Sequence, residues 1–336
     1  MNEAERKEYE QTRSRVKYNN GWPAAQWRSP LQDTLLANMK KAGLEQVFWP
    51  IVLEEDKAVD VLFEDAELNR IISTLFDLYD ELPLRPDAAF DVSWRALEIV
   101  IHFYLKQYYP KALEGPIETI PASVEQKISR MTNCVFEQQL NNCQPLQDVF
   151  KRLLNEGVSE SALHYIVARM FLPGELQVKT QWSQVSIRCR DILGKGLFDE
   201  FRGKYVKDNH LDASSHHNAD RLLLLILKGE KNIVLEHEFD ALSLQDRITF
   251  VLSGILYSSR CERFHGDFFS PLKSDRSTLK TYYEQYWLLT MSYMFFWMTV
   301  YKYLEKKGVV PFFSLEALAD SIGKTIDAAT AVMAKN

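Results

Sequence analysis

The chain has 336 residues, of which 46% are hydrophobic and 26% are charged, and this composition excludes an intrinsically disordered protein. The formal net charge of -6 argues against a protein that coats nucleic acid through a strongly basic surface, although it allows a local basic pocket. Only 13 glycines and 12 prolines interrupt the chain, and apolar residues recur at helical spacing. The predicted fold class is therefore all-α.

The cellular environment is inferred from cysteine usage and from the N-terminal residues. The first 15 residues are charged throughout and lack the apolar stretch of a signal peptide. The apolar run 287–301 has about 15 residues, fewer than the roughly 20 that span a bilayer, and is predicted to be a buried core helix. The cysteines form no CxxC pair, and they are Cys134, Cys143, Cys189 and Cys261. Together these features predict a cytoplasmic protein without a membrane span.

In chain order, the first clear helical pattern lies before a proline-rich turn at 82–86. Its apolar residues are Leu68, Ile71, Ile72, Leu75 and Leu78. The turn is the predicted domain boundary. Residues 1–85 are interpreted as an N-terminal cap or sensing region of unknown role, and residues 86–336 as a helical domain with an insertion near 110–210.

The next pattern predicts a central helix over 88–109, ended by Pro110, with a wide apolar face formed by Trp94, Leu97, Ile101 and Tyr104. His102 lies within this apolar stretch and is interpreted as an interior histidine or one satisfied by a partner side chain. Two or three further helices are predicted between 122 and 172. The polar residues 203–218 are predicted to form a loop.

The C-terminal third begins with the apolar run 221–228, for which Gly229 is the predicted helix stop. Ser243 is a predicted N-cap, and the helix that follows has one apolar face and ends at Gly266. That face comprises Ile248, Val251, Leu252, Ile255 and Leu256. A loop over 267–275 and helices over 277–306 and 315–333 complete the pattern.

The end of the helix after Ser243 carries the most informative motif, GILYSSRCERFHG at 254–266. An arginine, Arg260, is followed after four residues by His265, with an apolar-Tyr-x-x-Arg lead and an aromatic-His-Gly ending. This segment resembles the signature of the HEPN superfamily, in which an arginine and a histidine lie near the end of an apolar helix. The resemblance extends over about 244–305 and implies an elaborated HEPN-like helical bundle over 86–336.

The resemblance implies a metal-independent endoribonuclease without a cofactor. Arginine offers a fixed fork of donors to phosphate oxygens, and histidine exchanges a proton near neutral pH. RNA supplies its own nucleophile in the 2′-hydroxyl group, so a 2′,3′-cyclic phosphate is the implied product. Arg260 and His265 are the implied catalytic residues.

The spacing of the two motif residues predicts a homodimer. Five residues on an ideal helix rotate by about 140°, so Arg260 and His265 do not share a face. The superfamily solves this by pairing two such helices across a dimer axis. Unwinding of the helix at Gly266 is the alternative that redirects His265 towards its own arginine.

Residues around the motif have a functional interpretation and a structural one, and the sequence leaves both open. Cys261 stands where many HEPN nucleases have a polar residue. Glu262 either orients His265 or a water molecule, as a third catalytic residue, or is a solvated charge. Arg263 is either a phosphate contact or an ordinary surface arginine.

The segment after the motif contains further candidate RNA-binding residues, Lys273, Arg276 and Lys280, with Phe268 and Phe269 near enough to stack on bases. Core packing of the phenylalanines and solvation of the cations are the alternatives. A metal site at His210, His216, His217 and Asp220 is not predicted, because metal-ligand spacing is missing. The chain also lacks GxxxxGK[ST], GxGxxG and GxSxG motifs.

The sequence is compatible with two functions. The first is an endoribonuclease of a bacterial stress, toxin or anti-phage defence system, a setting that the resemblance implies, with a neutralising or sensing protein as a possible partner. The second is a non-catalytic helical module of the same fold that binds RNA or a protein. If expression of the protein is toxic and the substitution His265→Ala removes the toxicity, the endoribonuclease is favoured over the non-catalytic module.

Overall fold

The computed structural model describes residues 13, 28–115, 121–157, 160–171, 184–207, 211, 213–230, 237, 239–264, 272 and 277–333. Helices account for the regular structure of these residues, and an isolated β-bridge joins Glu114 to Pro121. The predicted all-α fold class is confirmed.

The described α-helices are numbered here in chain order. They are α1 Pro30–Lys41, α2 Glu55–Glu64, α3 Ala66–Phe76, α4 Pro86–Tyr108, α5 Val124–Met131, α6 Glu137–Asn142, α7 Gln144–Arg152, α8 Glu160–Phe171, α9 Gln184–Leu193, α10 Lys195–Tyr205, α11 Ala213–Lys228, α12 Leu244–Thr249, α13 Tyr257–Phe264, α14 Leu279–Lys307 and α15 Leu315–Met333. Short 3-10 helices follow α3 and α4, at Asp77–Glu81 and Pro110–Leu113.

Segments of π-helix interrupt or extend several α-helices within the described residues. Thr132–Phe136 joins α5 to α6, and Leu153–Gly157 extends α7. Phe250–Leu256 joins α12 to α13, so Leu244 to Phe264 is one continuous helical stretch. A π segment has i→i+5 hydrogen bonds and often marks a functional position in a helix.

The centre of the fold is α14. Every residue from Gln285 to Val300 is buried, and aromatic rings fill the space around the helix, as Phe295 shows by lying 4.8 Å from Phe136 and 6.2 Å from Phe150 between ring centroids. The predicted core helix at 287–301 is confirmed. Among the described helices, none combines the length and apolarity needed to cross a bilayer.

Helix α4 packs along α14 and is the second central helix. The buried hydroxyl of Ser292 donates to that of Ser93 at 2.8 Å, and the rings of Phe103 and Tyr303 lie 4.7 Å apart. The observed bounds of α4 agree with the predicted helix at 88–109, since Pro110 cannot continue it. Its apolar face is buried as predicted.

The described part of the N-terminal region lies against the same central helices. The Ile51 amide donates to the Tyr293 hydroxyl at 2.9 Å, and the Tyr286 hydroxyl donates to the Pro83 carbonyl at 3.1 Å. One hydrophobic core includes residues on both sides of position 85. The division at this position stays a prediction about chain organisation, and the packing is continuous across it.

A polar cluster fastens α3 to the C-terminal end of α14. Asp65, the N-cap of α3, accepts hydrogen bonds from the Leu68 amide at 3.0 Å, the Tyr303 hydroxyl at 2.6 Å and the Lys307 ammonium at 2.7 Å. Burial acts to raise the pKa of Asp65, but the hydrogen bonds from Lys307, Tyr303 and Leu68 outweigh it, so that this pKa is lowered. The buried carboxylate is therefore held in its charged form.

Two sequence interpretations need correction. The predicted loop over 203–218 is wrong in its described part, because residues 203–205 end α10 and residues 213–218 begin α11. Polar residues of this segment are compatible with a helix because two of them pair inside the protein. His216 and Asp220 are both buried one helical turn apart, and 3.7 Å separates Nε2 of His216 from Oδ1 of Asp220. His102 is not interior, since its side chain is exposed on the outer side of α4.

Candidate functional site

The candidate site lies at the end of α13, and local sequence places it there. The Ser243 hydroxyl accepts from the Asp246 amide at 3.0 Å and caps the helical stretch that runs through the π segment. Residues 250–256 are all buried, whereas Tyr257, Arg260 and Cys261 are only half-buried. The stretch is therefore anchored in the core through its π segment and reaches the surface near Arg260.

Arg260 contacts a carboxylate from another helix. Its Nη2 atom lies 3.6 Å from Oε2 of Glu98 on α4, and the two side chains are 27% and 25% exposed. Partial burial restricts the guanidinium more than full solvation would, while solvent still reaches it. Arg260 is thus a positioned cation at the surface of the helical bundle.

A second arginine contacts α13. Arg188 on α9 donates to the Ser258 hydroxyl at 3.1 Å and to Oε1 of Glu125 at 2.9 Å. Its guanidinium carbon lies 5.1 Å from the centroid of the Tyr257 ring. Two arginine–glutamate pairs are therefore located at α13. They are Arg188 with Glu125, and Arg260 with Glu98, and these four residues are called the cluster at α13.

Aromatic packing fixes the orientation of α13 against α4. The rings of Tyr257 and Trp94 are stacked, with centroids 6.1 Å apart and an interplanar angle of 27°. Burial, followed by the interaction with Cys261, raises the pKa of Tyr257 to about 12. Tyr257 is therefore neutral at physiological pH, and its ring is held between Trp94 and the Arg188 guanidinium.

The structure locates only some of the predicted site residues. The backbone of Glu262 and Arg263 belongs to α13, but their side chains lie outside the described part of the chain. Lys280 is exposed in the first turn of α14. Outside the described residues lie His265, Gly266, Asp267, Phe268, Phe269, Lys273 and Arg276. The proximity of Arg260 to His265 thus stays a prediction.

A metal centre has no support in the described residues. His216 contacts Asp220 within α11, and no group of three His, Cys, Asp or Glu side chains suited to a metal ion occurs in the part of the chain that the structure describes. His217 lies in α11, and His210 is outside the described residues. The cysteines Cys134, Cys143, Cys189 and Cys261 form no disulfide.

Sequence reasoning missed three members of the cluster, Glu98, Arg188 and Glu125. Glu98 belongs to a polar stripe on α4 that also includes Arg95 and His102, all within one helical face. These polar residues could have been used to predict that one side of this otherwise apolar helix faces the surface. No comparable signal marked Arg188, because its role depends on how α9 packs against α13.

Comparison of the chain with protein families, with curated proteins and with solved structures gave no match. The HEPN resemblance consequently rests on the motif at 254–266 and on the pattern of the helices around it.

Proposed function

We propose that the protein is a metal-independent endoribonuclease of the HEPN type, in which Arg260 binds the scissile phosphate and His265 transfers protons. The 2′-hydroxyl of the RNA attacks the adjacent phosphorus, the bond to the 5′-oxygen of the next nucleotide breaks, and a 2′,3′-cyclic phosphate results. The observation that carries the proposal is the half-buried, positioned guanidinium of Arg260 at the end of the motif helix. A bacterial stress, toxin or anti-phage setting is part of the proposal.

The electrostatics of the cluster suit a phosphate. Two guanidinium groups, those of Arg260 and Arg188, are located at α13, and each contacts a glutamate, Glu98 or Glu125. An incoming phosphate competes with Glu98 for Arg260, across a contact of 3.6 Å that solvent reaches. Since charge-assisted bidentate contacts are shorter and stronger than such a pair, phosphate is a suitable competitor.

One observation favours the alternative of a non-catalytic helical module. The Arg260–Glu98 contact joins α13 to α4, and the Tyr257–Trp94 stack joins the same two helices. An arginine whose role is to hold two helices together would form the same contacts. The alternative binds RNA or a protein without cleaving it.

The first experiment compares RNA cleavage by the purified chain with cleavage by Arg260→Ala and His265→Ala. Each substitution should lower the rate by about a hundredfold or more, as expected for loss of a positioned acid–base or phosphate-binding group. Matched controls are Arg70→Ala and His237→Ala, which remove exposed residues of the same types from α3 and from the chain before α12. Wild-type cleavage by His265→Ala would overturn the proposal.

A second experiment separates this chemistry from metal catalysis. Cleavage should persist in excess EDTA, because an imidazole and a guanidinium replace a metal-bound water. The products should carry 2′,3′-cyclic phosphate ends. Loss of cleavage in EDTA, with recovery on adding magnesium or zinc, would contradict the mechanism.

A third experiment tests the proposed homodimer. A chain carrying Arg260→Ala is mixed with a chain carrying His265→Ala, and the oligomeric state is measured by light scattering. A composite site should recover part of the cleavage that neither parent shows. Full cleavage by a strictly monomeric wild-type chain would show instead that His265 returns to its own arginine.

A further inference from the structure

A cavity of about 670 Å³ opens where α4 ends and α5 begins. This volume lies within the range of roughly 300–1,000 Å³ that is usual for small-molecule sites. The side chains that matter for recognition are Tyr108, Tyr109, Lys111, Glu114, Gln126 and Arg130. The functions considered above assign no role to this cavity.

The cavity presents a planar cation on an aromatic ring. The guanidinium carbon of Arg130 lies 4.7 Å from the centroid of the Tyr109 ring, and Arg130 is exposed. An exposed guanidinium offers a planar surface on which a nucleic-acid base stacks. Both the shape and the chemistry suit a flat, electron-rich ligand.

The charge around the cavity favours an anion. Lys111 and Arg130 oppose the single carboxylate of Glu114 in the lining. A ligand that carries a phosphate beside its aromatic ring would meet positive potential here.

The cavity is linked to the Arg260 cluster through two helices. Gln126 lines the cavity, and its neighbour Glu125 binds Arg188, which in turn donates to Ser258 on α13. Along α4, Tyr108 follows Glu98 by ten residues, which corresponds to about 15 Å of helix.

We propose that this cavity binds a nucleotide, with the base stacked on the Arg130 guanidinium and the phosphate held by Lys111. The shared chemistry is a base joined to a phosphate. Its source is either a free mononucleotide or one nucleotide of a single-stranded RNA. The proposal goes beyond the ribonuclease activity and does not depend on it.

The test uses the full chain and two probes. Adenosine monophosphate is titrated calorimetrically, and a fluorescein-labelled 2′-O-methyl oligoadenylate of ten nucleotides, which has no free 2′-hydroxyl to attack, is titrated by anisotropy. Arg130→Ala should weaken binding of at least one probe by about tenfold or more, because stacking on a base is lost. Arg130→Lys, which keeps the charge without the plane, should weaken it almost as much.

Lys111→Ala should weaken binding a few-fold and reduce its salt dependence, as expected for one phosphate contact. The matched control is Lys41→Ala, which removes an exposed lysine at the end of α1. Since Lys111 and Arg130 are themselves exposed, circular dichroism should show unchanged helix content in every variant.

The outcomes test the proposal and also identify the source of the bound nucleotide. Binding of adenosine monophosphate that Arg130→Ala removes assigns a free mononucleotide, and binding of the oligomer alone assigns a nucleotide within a strand. Binding of neither probe, or equal binding by Arg130→Ala and Lys41→Ala, overturns the proposal. Failure of the ribonuclease proposal would appear separately, as a wild-type chain that binds these probes and cleaves no RNA.

Discussion

Two helical stretches of similar apolar character differ in how they are buried. Helix α14 is a regular α-helix of 29 residues, and its middle, from Gln285 to Val300, is buried throughout. In the stretch from Leu244 to Phe264, the π segment Phe250–Leu256 is buried throughout, whereas Leu244 before it and Arg260 after it are half-buried. The first stretch is surrounded on every side, while the second ends at the surface.

This difference indicates that α14 contributes most to stability, whereas the candidate site lies at α13. Burial of large apolar side chains contributes roughly 25 cal/mol per Å² of area removed from water, so the middle of α14 is expected to dominate the free energy of unfolding. The charged cluster at α13 is partly solvated, and such ion pairs contribute little to stability. Substitutions in the two stretches should therefore differ strongly in their effect on unfolding.

The largest effect is expected for Phe295→Ala in α14. Phe295 is fully buried against Phe136 and Phe150, so its truncation leaves a cavity and should lower the free energy of unfolding by about 3–5 kcal/mol. Urea denaturation followed by circular dichroism measures it. Phe295→Leu, the milder change, should cost clearly less, and equal small losses for both variants would show that α14 is not the centre of stability.

The next effect concerns the polar end of α14. Asp65→Asn replaces a buried carboxylate that accepts from Tyr303, Lys307 and the Leu68 amide, and it should cost about 1–3 kcal/mol at neutral pH.

The same site predicts a pH dependence. Because the folded pKa of Asp65 is lowered, the stability that this carboxylate contributes is present above its unfolded pKa of about 3.9 and is lost as the pH falls through the folded value. In Asp65→Asn this acid-dependent part should be missing. Parallel losses of stability on acidification in both proteins would contradict the assignment.

A smaller effect is expected at the C-terminal end of α14. Gly308 has φ +75°, and its amide caps the helix, so Gly308→Ala should cost about 1 kcal/mol. Gly203 lies within α10 without positive φ, and a Cβ there meets nothing within 4 Å. Gly203→Ala should therefore stabilise the protein by about 0.5–1 kcal/mol. Thermal unfolding of the two variants should shift in opposite directions.

The smallest effect is expected in the cluster at α13. Glu98→Gln weakens the contact with Arg260. Because both side chains are about a quarter exposed, the substitution should change the free energy of unfolding by about 1 kcal/mol or less. A loss as large as that of Phe295→Ala would mean that the cluster is part of the structural core, which would favour the non-catalytic module.

Most helix bounds were predictable because their signals are local. Pro110 ends α4, Gly229 with φ +80° follows α11, and Ser243 caps α12, each by backbone chemistry that neighbouring residues do not change. The loop predicted over 203–218 failed because polar composition was taken as exposure. Pairing of His216 with Asp220 inside α11 depends on tertiary packing.

The site was less predictable than the fold. The motif identified Arg260, but its contact with Glu98 joins positions that are far apart in the chain, and periodicity carries no information on such pairs. Arg188 beside Ser258 and the cavity at Arg130 arise in the same way, from helices that meet only in the folded chain. The π segment before α13 also left no trace in the pattern, because residues 250–256 are all buried and no polar face marks their period.

That π segment has a consequence for chain length. A π turn holds more residues than an α turn, so Phe250–Leu256 behaves like an α-helix with an inserted residue. Restoring α-helical bonding there without deleting a residue would rotate α13 by about 100° relative to α12, because the extra residue would no longer be absorbed. Arg260 would then point away from Glu98. Deleting one residue at the same time would compensate for this rotation, so the π segment sets which side chains of α13 face α4 while the residues of the motif stay the same.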